Sequence, residues 1–328
     1  MVTAKRWVLV KQFVGKPKES DFCLEEETLP DEVNDGEVLC EAIYLSVDPY
    51  VRFLSSVMMK PGDTLVGEQI ARVINSKNPK YEVGDVIRLS SGWRTHTLVT
   101  DMSQIDVMPV LGDLPVSLPL GAAGVTGLTA LFGLNDKLKP VEGETVLVNS
   151  AAGAVGSVVG QIAKMKGCTV IGFAGTDDKV QWLTELGFDH AFNYKKVDVD
   201  EALSMAAPNG VHCYFDNVGG YLSTQTLPHI HRNGRVLIVG SISTYNDIGK
   251  STGPYPFEDI LKKCMTVNGF SIYDMYPKWR DGEAQLVDWI QQGKLQHRET
   301  ITEGFDLMPN AFMGLFEGTC TGKALVKA

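Results

Sequence analysis

The run Ala151-Ala152-Gly153-Ala154-Val155-Gly156, reached from the apolar stretch Thr145-Val146-Leu147-Val148, constrains the fold more than any other part of the chain. Small residues at this spacing suit a strand that delivers the chain into a tight turn and a helix that leaves it at once. Gly153 lets backbone approach a pyrophosphate, Gly156 lets the helix pack closely, and the helix points its partial positive N-terminus at the phosphates. Ala151 stands where the G-x-G-x-x-G pattern has its first glycine, so the turn alone also fits a small-residue connection that merely packs tightly. What separates the two readings is whether strands and helices keep alternating after the turn.

They do so from about Glu144 to Ile272. The pattern predicts strand Thr145 to Val148, helix Val155 to Lys166 and strand Thr169 to Ala174 as a first βαβ unit. It continues with a helix near Asp178 to Leu186, strand Ala191 to Tyr194, helix Val199 to Ala206 and strand Cys213 to Phe215. Helix Tyr221 to Ile230, strand Arg235 to Val239, helix Phe257 to Lys263 and strand Thr266 to Phe270 complete six candidate parallel strands. The expected class is α/β, with a Rossmann doubly wound parallel sheet.

Residues 1 to about 120 read differently. Short β-rich runs such as Trp7 to Val10, Val38 to Tyr44 and Val86 to Leu89 are punctuated by Gly, Pro and Asp, which predicts an irregular β domain. Glu82-Val83-Gly84-Asp85 reads as a turn before a strand, and the three prolines from Pro109 to Pro119 suit an inter-domain connection. A length of 328 residues fits roughly two domains.

Composition narrows the function classes. At 44% hydrophobic and 21% charged residues the chain has the balance of a soluble globular protein, and its net charge of -10 argues against a nucleic-acid partner, which would need clustered Lys and Arg. No apolar stretch is long enough to span a bilayer, and the N-terminal residues lack the apolar core of a secretory signal, so a cytoplasmic protein without a membrane partner is expected. The six cysteines, Cys23, Cys40, Cys168, Cys213, Cys264 and Cys320, contain no C-x-x-C pair and read as reduced, small buried hydrophobes. Among the six histidines, His229 and His231 are near neighbours on a polar segment and read as surface residues.

The ordered set Ser46-Val47-Asp48-Pro49-Tyr50, Ala151 to Gly156, Phe215-Asp216-Asn217-Val218-Gly219-Gly220 and Ser243-Thr244-Tyr245-Asn246 resembles the zinc-free medium-chain dehydrogenase/reductase superfamily along the entire chain. The Ile242 to Asn246 run is similar to its alkenal and prostaglandin branch. The resemblance implies a GroES-like β-rich catalytic domain over 1–122 and 295–328, a Rossmann dinucleotide-binding domain over 123–294, a cleft between them, and a homodimer.

Cofactor choice depends on the residues after the second strand. An acidic residue about 20 positions beyond the glycines would favour NAD, and that count reaches Thr176-Asp177-Asp178-Lys179. Thr176 reads as a helix N-cap with Asp177 and Asp178 in the first turn, where carboxylates favour the helix dipole. By composition Lys179 is a solvated helix residue and Tyr194 a strand-end packing residue, but the resemblance places both at a 2′-phosphate and so implies NADPH. It likewise implies cofactor contacts at Gly153, Ala154, Val155, Gly156 and Asn217, although Asn217 also suits a turn asparagine bonding its own backbone. Val239, Gly240, Ser241, Ile242, Ser243, Thr244 and Tyr245, and then Phe270, Ser271 and Ile272, are similar to the family's cofactor-lining segments. Cys320 stands where relatives carry an asparagine at the cofactor.

Catalytic zinc in related alcohol dehydrogenases needs a Cys and His set to hold the substrate oxygen. Here Gly67-Glu68-Gln69 replaces the expected glycine-His-Glu segment, and Ser46 to Tyr50 replaces the first cysteine region, with Asp48 orienting a turn before Pro49. Without that electrophile, a double bond conjugated to a carbonyl is the fitting acceptor, taking hydride at its β-carbon while the enolate oxygen is hydrogen-bonded and solvent protonates the α-carbon. Substrates implied by the resemblance are lipid enones and enals, including 15-oxo-prostaglandins and 2-alkenals, with leukotriene alcohol oxidation as a further activity. Tyr245 is the candidate catalytic residue, with a packed pocket tyrosine as its ordinary alternative. Tyr50 and Arg52 are candidates for the substrate side, Arg52 attracting a carboxylate, whereas the default for such an arginine is an exposed connection. Two other functions remain open: a quinone oxidoreductase on the same scaffold, and a crystallin-like cofactor-binding protein.

Overall fold

The computed structural model describes residues 1–328, which divide into two compact units, Met1–Gly121 with Glu299–Ala328, and Ala122–Arg298. The first unit begins with β1 (Val2–Leu9) and β2 (Phe22–Leu29), an antiparallel pair. β3 (Val38–Ser46) leads through Asp48-Pro49 into the short helix α1 (Tyr50–Val57). β4 (Gln69–Ser76), β5 (Val86–Leu89), β6 (His96–Val99) and β7 (Ile105–Asp106) follow. The expected irregular β character is present, but strands β2, β4 and β6 and helix α1 carried no clear periodic signal.

The second unit opens with α2 (Val125–Phe132), whose last turn widens into a π-type stretch over Gly133–Leu138. The alternation then runs β8 (Thr145–Val148), α3 (Gly156–Met165), β9 (Thr169–Ala174), α4 (Asp177–Glu185), β10 (His190–Asn193), α5 (Val199–Ala206), β11 (Val211–Asp216), α6 (Gly220–Thr226), β12 (Ile230–Ile238), α7 (Phe257–Lys263) and β13 (Thr266–Gly269), followed by α8 (Trp279–Gln291). The strands form one sheet of order β10-β9-β8-β11-β12-β13 in which every neighbouring pair is parallel. The sheet is doubly wound about β8, which makes the carboxyl ends of β8 and β11 its switch point. β8 and β9 read as near-continuous apolar runs because both faces are covered, and Leu147, Ile171, Phe173, Tyr214 and Val236 join Leu203 of α5 in one core.

The sequence reading differs from the structure at the α6–β12 junction. The helix expected to reach Ile230 stops at Thr226, and a single 3-10 turn, Leu227–His229, carries Pro228, which has no N–H to continue an α-helical ladder. β12 therefore starts at Ile230 rather than Arg235, and its pairing with β11 shifts register between Val211 and Cys213. His229 and His231 are not isolated surface residues. The His229 Nε2 lies 2.7 Å from Asp200 Oδ1, and His231 stacks on His212 at 4.4 Å between ring centroids.

The chain returns to the first unit with β14 (Glu299–Glu303), α9 (Met308–Glu317) and β15 (Lys323–Lys327). The main sheet there has the order β14-β15-β3-β4-β5-β7, with β6 paired to β3. Its core is aromatic: Phe22 stacks on Trp93, while Phe312 meets Phe22 and Trp93 edge-on, arrangements that suit ring quadrupoles. All six cysteines are free thiols. Cys40, Cys168 and Cys213 are buried as expected, but Cys23 and Cys264 are exposed, so only part of the set serves as small core hydrophobes. Burial pushes the Cys40 and Cys213 thiols up to about 12. No helix is long and apolar enough to cross a membrane.

Candidate active site

In the second unit the turn after β8 is closed by its own backbone. Gly153 N–H donates to Ser150 O at 2.9 Å, and Ser150 takes a positive φ of 47°. A Cβ on Gly156 would lie 2.5 Å from Ser150 O and 2.8 Å from Ala151 Cα, so only glycine lets α3 begin this close to the end of β8. The broader helix-to-sheet packing depends on glycines the pattern did not single out: Gly160 and Gly172 both make room for the Phe188 ring. The first turn of α3, which contains the leading N–H groups of a helix, follows Gly153, Ala154 and Val155 without a side-chain cap.

A basic corner forms at the carboxyl ends of β9 and β10. Thr176 caps α4 by accepting from Lys179 N–H at 3.4 Å, with Asp177 and Asp178 in the first turn. Asp177 is occupied by protein partners: Asn193 Nδ2 donates to it at 2.8 Å and Lys196 pairs with it, which together hold its carboxyl below the usual range. Tyr194, 43% exposed, stands just past β10 with its hydroxyl over Gly175, where a Cβ would lie 3.4 Å from Tyr194 Oη. Lys195 Nζ lies 6.0 Å from the Tyr194 ring centroid, a cation that sequence reading missed because nothing in its local pattern sets it apart. Gly175, Tyr194 and Lys195 thus share one corner that offers a cation and a hydroxyl, and the Thr176 cap sets Lys179 in the adjoining first turn of α4.

At the switch point a buried polar network fixes the next loops. Asn149, wholly buried, donates from Nδ2 to Tyr214 Oη at 2.6 Å and to Asp216 Oδ1 at 2.7 Å. Asp216 Oδ1 also accepts from the Val218 and Gly219 N–H groups at 3.0 and 2.9 Å, and its Oδ2 accepts from Ser223 Oγ at 2.5 Å. Asn217 is held at both ends: its N–H donates to Asn149 Oδ1 at 2.7 Å and its Nδ2 to Asn149 O at 3.0 Å. Its amide therefore bonds across to the neighbouring strand rather than to its own turn. Sequence reading named Asn217 and quoted Asp216 only as part of its motif; it missed Asn149, which holds Asn217 directly, and Ser223, which donates to Asp216.

The Val239 to Tyr245 loop lies directly on this network. Val239 and Gly240 N–H groups donate to Asp216 O at 2.8 and 3.2 Å, and Ser243 N–H and Oγ both donate to Val218 O. Gly219, at φ 68°, has no room for a side chain, since a Cβ would sit 2.4 Å from Ser241 Oγ. Ser241 Oγ and Thr244 Oγ1 are 2.6 Å apart, and Ser241 N–H donates to Tyr245 Oη at 3.2 Å. The Tyr245 hydroxyl is thereby positioned as an acceptor with its own proton still to give. Ile242 belongs to the same loop and is half-buried. Phe270 follows β13, its N–H donating to Ile238 O at 3.1 Å, with Ser271 exposed and Ile272 buried beyond it. Lys137 Nζ lies 5.9 Å from the Phe270 ring centroid.

The remaining candidates lie in the first unit. Tyr50 opens α1 and packs partly against the aromatic core. Arg52 is 7% exposed, not the exposed connection residue that its position suggested: Nη2 donates to Phe13 O and Gly15 O, each at 3.4 Å, and the guanidinium lies 5.5 Å from the Phe13 ring centroid. Asp48 does more than orient a turn, since its carboxylate bonds Ser46 Oγ and forms a buried ion pair with Lys323. Cys320 is half-buried against the same core, its Sγ 3.8 Å from Thr319 Oγ1. No group of three or more His, Cys, Asp and Glu side chains is arranged to hold a metal.

Comparison with known proteins agrees with this anatomy. The family described as the N-terminal domain of oxidoreductase matches residues 5–107, and that described as zinc-binding dehydrogenase matches residues 154–292. The chain is 49% identical to prostaglandin reductase 1 of Bos taurus over 332 residues, covering 100% of both. It is 35% identical to the NADP(+)-dependent 2-alkenal reductase of Nicotiana tabacum, over 99% of this chain and 97% of that protein. The crystal structure of CurA in complex with NADPH from Vibrio vulnificus matches with a TM-score of 0.90 at 35% identity, covering 99% of each chain. With a doubly wound sheet, a glycine turn and full-length likeness to these reductases, the chain belongs to the medium-chain dehydrogenase/reductase superfamily, in the branch that contains prostaglandin reductase 1.

Proposed function

We propose that this protein is an NADPH-dependent reductase of the carbon-carbon double bond of α,β-unsaturated ketones and aldehydes, with 2-alkenals and 15-oxo-prostaglandins as its substrate class. The observation that carries this reading is the full-length likeness to a prostaglandin reductase and a 2-alkenal reductase. The residues fit the cofactor: a turn in which Gly156 cannot carry a Cβ, and a corner of Lys179, Tyr194 and Lys195 suited to a phosphate that an Asp177 already paired with Lys196 does not repel. Bound NADPH supplies the hydride that the electron-poor β-carbon accepts.

The chain's own residues then bind and orient. Gly153, Ala154, Val155 and Gly156 receive the pyrophosphate at the start of α3, and Lys179 and Tyr194 hold the 2′-phosphate. Asn217, fixed by Asn149, and the segments Val239 to Tyr245 and Phe270 to Ile272 line the nicotinamide end. Tyr245, with Oη accepting from Ser241 N–H, keeps its proton for the developing enolate oxygen or for the cofactor. Tyr50, the first residue of α1, is the substrate-binding candidate of the first unit. Arg52, whose Nη2 donates to the Phe13 and Gly15 carbonyls, anchors α1 instead of reading a substrate carboxylate, and Cys320 packs against the aromatic core of the first unit.

The second unit also offers a surface for a second copy. β13 is an edge strand with all four residues exposed, and Tyr255, Phe257 and Leu261 in the segment that precedes it are exposed as well. Such an edge presents unpaired main-chain groups that a twofold-related β13 satisfies, so a homodimer is the proposed assembly. Six free thiols fit a reducing, cytoplasmic setting.

The functional reading is tested by following NADPH oxidation with a 2-alkenal and a 15-oxo-prostaglandin, beside NADH and in the presence of a chelator. Saturable oxidation of NADPH, weak use of NADH and indifference to the chelator are expected. Turnover of quinones alone, or activity abolished by chelation, contradicts the proposal.

A further inference from the structure

The turn at the end of α2 is seated on the sheet of the second unit. Lys139 N–H donates to Leu134 O at 2.7 Å, which closes the π-type stretch Gly133–Leu138, and Lys139 takes a positive φ of 50°. A Cβ on Gly133 would lie 2.6 Å from Phe215 Cε2 and 3.1 Å from Leu237 Cδ2, so glycine lets this stretch rest directly on β11 and β12. α8 packs on α2 just as closely, since a Cβ on Gly282 would meet Leu128 Cδ2 at 2.6 Å and Phe132 Cζ at 2.7 Å. From this base two adjoining residues reach one downstream segment. Lys137 Nζ lies 5.9 Å from the Phe270 ring centroid, and Asp136 Oδ1 pairs with Lys278 Nζ at 2.5 Å. Phe270 and Lys278 bound the run that leaves β13 and turns through a 3-10 stretch, Ile272–Lys278, into α8.

The main chain between these anchors is tied to the sheet and to α8. Phe270 N–H donates to Ile238 O at 3.1 Å, and Ile272 O accepts from Nε1 of the buried Trp279 at 3.2 Å. We propose that Asp136 and Lys137 are positioning residues for the nicotinamide end of the cofactor: the π-type stretch grips Phe270 and Lys278 and so fixes the backbone of Phe270, Ser271 and Ile272. An ammonium near an aromatic ring and a partly exposed ion pair are each modest contacts. They reinforce one another here because they hold the two ends of one short run and both start from a turn that cannot shift on the sheet. The proposal rests on the reading that Phe270 to Ile272 line the nicotinamide, while the grip on the segment depends on neither cofactor nor turnover.

Two measurements test it on the full chain, as wild type, Lys137→Met, Lys137→Arg and the double variant Asp136→Asn with Lys137→Met. Isothermal titration compares NADP+ with 2′,5′-ADP, a fragment that keeps the 2′-phosphate and lacks the nicotinamide. Lys137→Met should weaken NADP+ about twofold to fivefold and the double variant about fivefold to twentyfold, while 2′,5′-ADP changes less than about twofold in both. Lys137→Arg keeps a cation near the ring and should bind NADP+ as wild type does. In amide hydrogen exchange on the cofactor-free protein, the double variant should lose protection across Phe270 to Lys278. Unchanged protection there, equal weakening of NADP+ and 2′,5′-ADP, or failure of Lys137→Arg to match wild type overturns the proposal. Lost protection with unchanged NADP+ affinity means that the segment is gripped but does not line the nicotinamide, which overturns the reading beneath the proposal. Enone reduction stands or falls separately, by turnover.

Discussion

Lys179 stands at the first turn of α4, where Thr176 accepts its N–H, and Tyr194 and Lys195 lie in the adjoining corner. A phosphate in that corner draws on Lys179 as a point charge, which is lost in NADH. Lys179→Ala should therefore raise the KM for NADPH tenfold or more with little change for NADH, as steady-state kinetics with both cofactors will read. An equal effect on the two would remove Lys179 from phosphate recognition. Tyr245 separates chemistry from positioning in the same way. Because its Oη accepts from Ser241 N–H, Tyr245→Phe leaves one backbone donor without its partner and removes one proton source. A fall in kcat of about a hundredfold or more marks proton donation, and a fall of less than about tenfold marks packing; the geometry, with the hydroxyl proton still to give, predicts the larger effect.

At the scale of elements, the sheet positions its loops through polar groups that sit inside it. Asn149 at the end of β8 and Asp216 at the end of β11 tie together Tyr214, Ser223 of α6 and the Asn217 turn. Removing one partner strands buried donors and acceptors, so Asn149→Ala should cost about 2–4 kcal/mol in chemical denaturation and weaken NADPH binding in parallel. Unchanged stability would mean that the network is dispensable. The βαβ alternation was legible because buried parallel strands are apolar runs and their helices carry capping signals such as Thr176 and Asp198. Asn149 was not legible, since a polar residue after a strand looks like the start of any loop until its partner on β11 is known. The first unit's antiparallel strands were only partly readable. β4 and α1 gain their identity from pairing and packing over long sequence separations, and the burial of Arg52 against Phe13 is a tertiary fact without a local mark.

At the scale of the whole molecule, two partly buried groups give stability opposite pH slopes. His212 stacks on His231 and accepts Thr145 N–H at Nδ1; burial first, then the charges of His231 and Arg235, lower its pKa from 6.5 against the pull of Glu144. Its folded pKa lies below the unfolded one, so the unfolded chain binds protons first and stability is lost as pH falls below 6.5. The Tm should accordingly drop between about pH 7 and about pH 5, and less steeply in His212→Asn; equal slopes would contradict this assignment. Glu68 works in the other direction. Its folded pKa of about 7, pushed up by burial, exceeds the unfolded 4.5, so its stabilising contribution fades as pH rises through that window, and Glu68→Gln should raise the Tm more at about pH 8 than at about pH 5.

The central claim is that a reduced phosphorylated nicotinamide is used to saturate the double bond next to a carbonyl. It is tested most directly by turnover of a 2-alkenal with NADPH deuterated at C4 of the nicotinamide, followed by NMR of the product. The account predicts a saturated aldehyde with deuterium at the β-carbon and a solvent-derived proton at the α-carbon. Deuterium on the carbonyl carbon of an unsaturated alcohol, or no label transferred to any enal or enone, would contradict it.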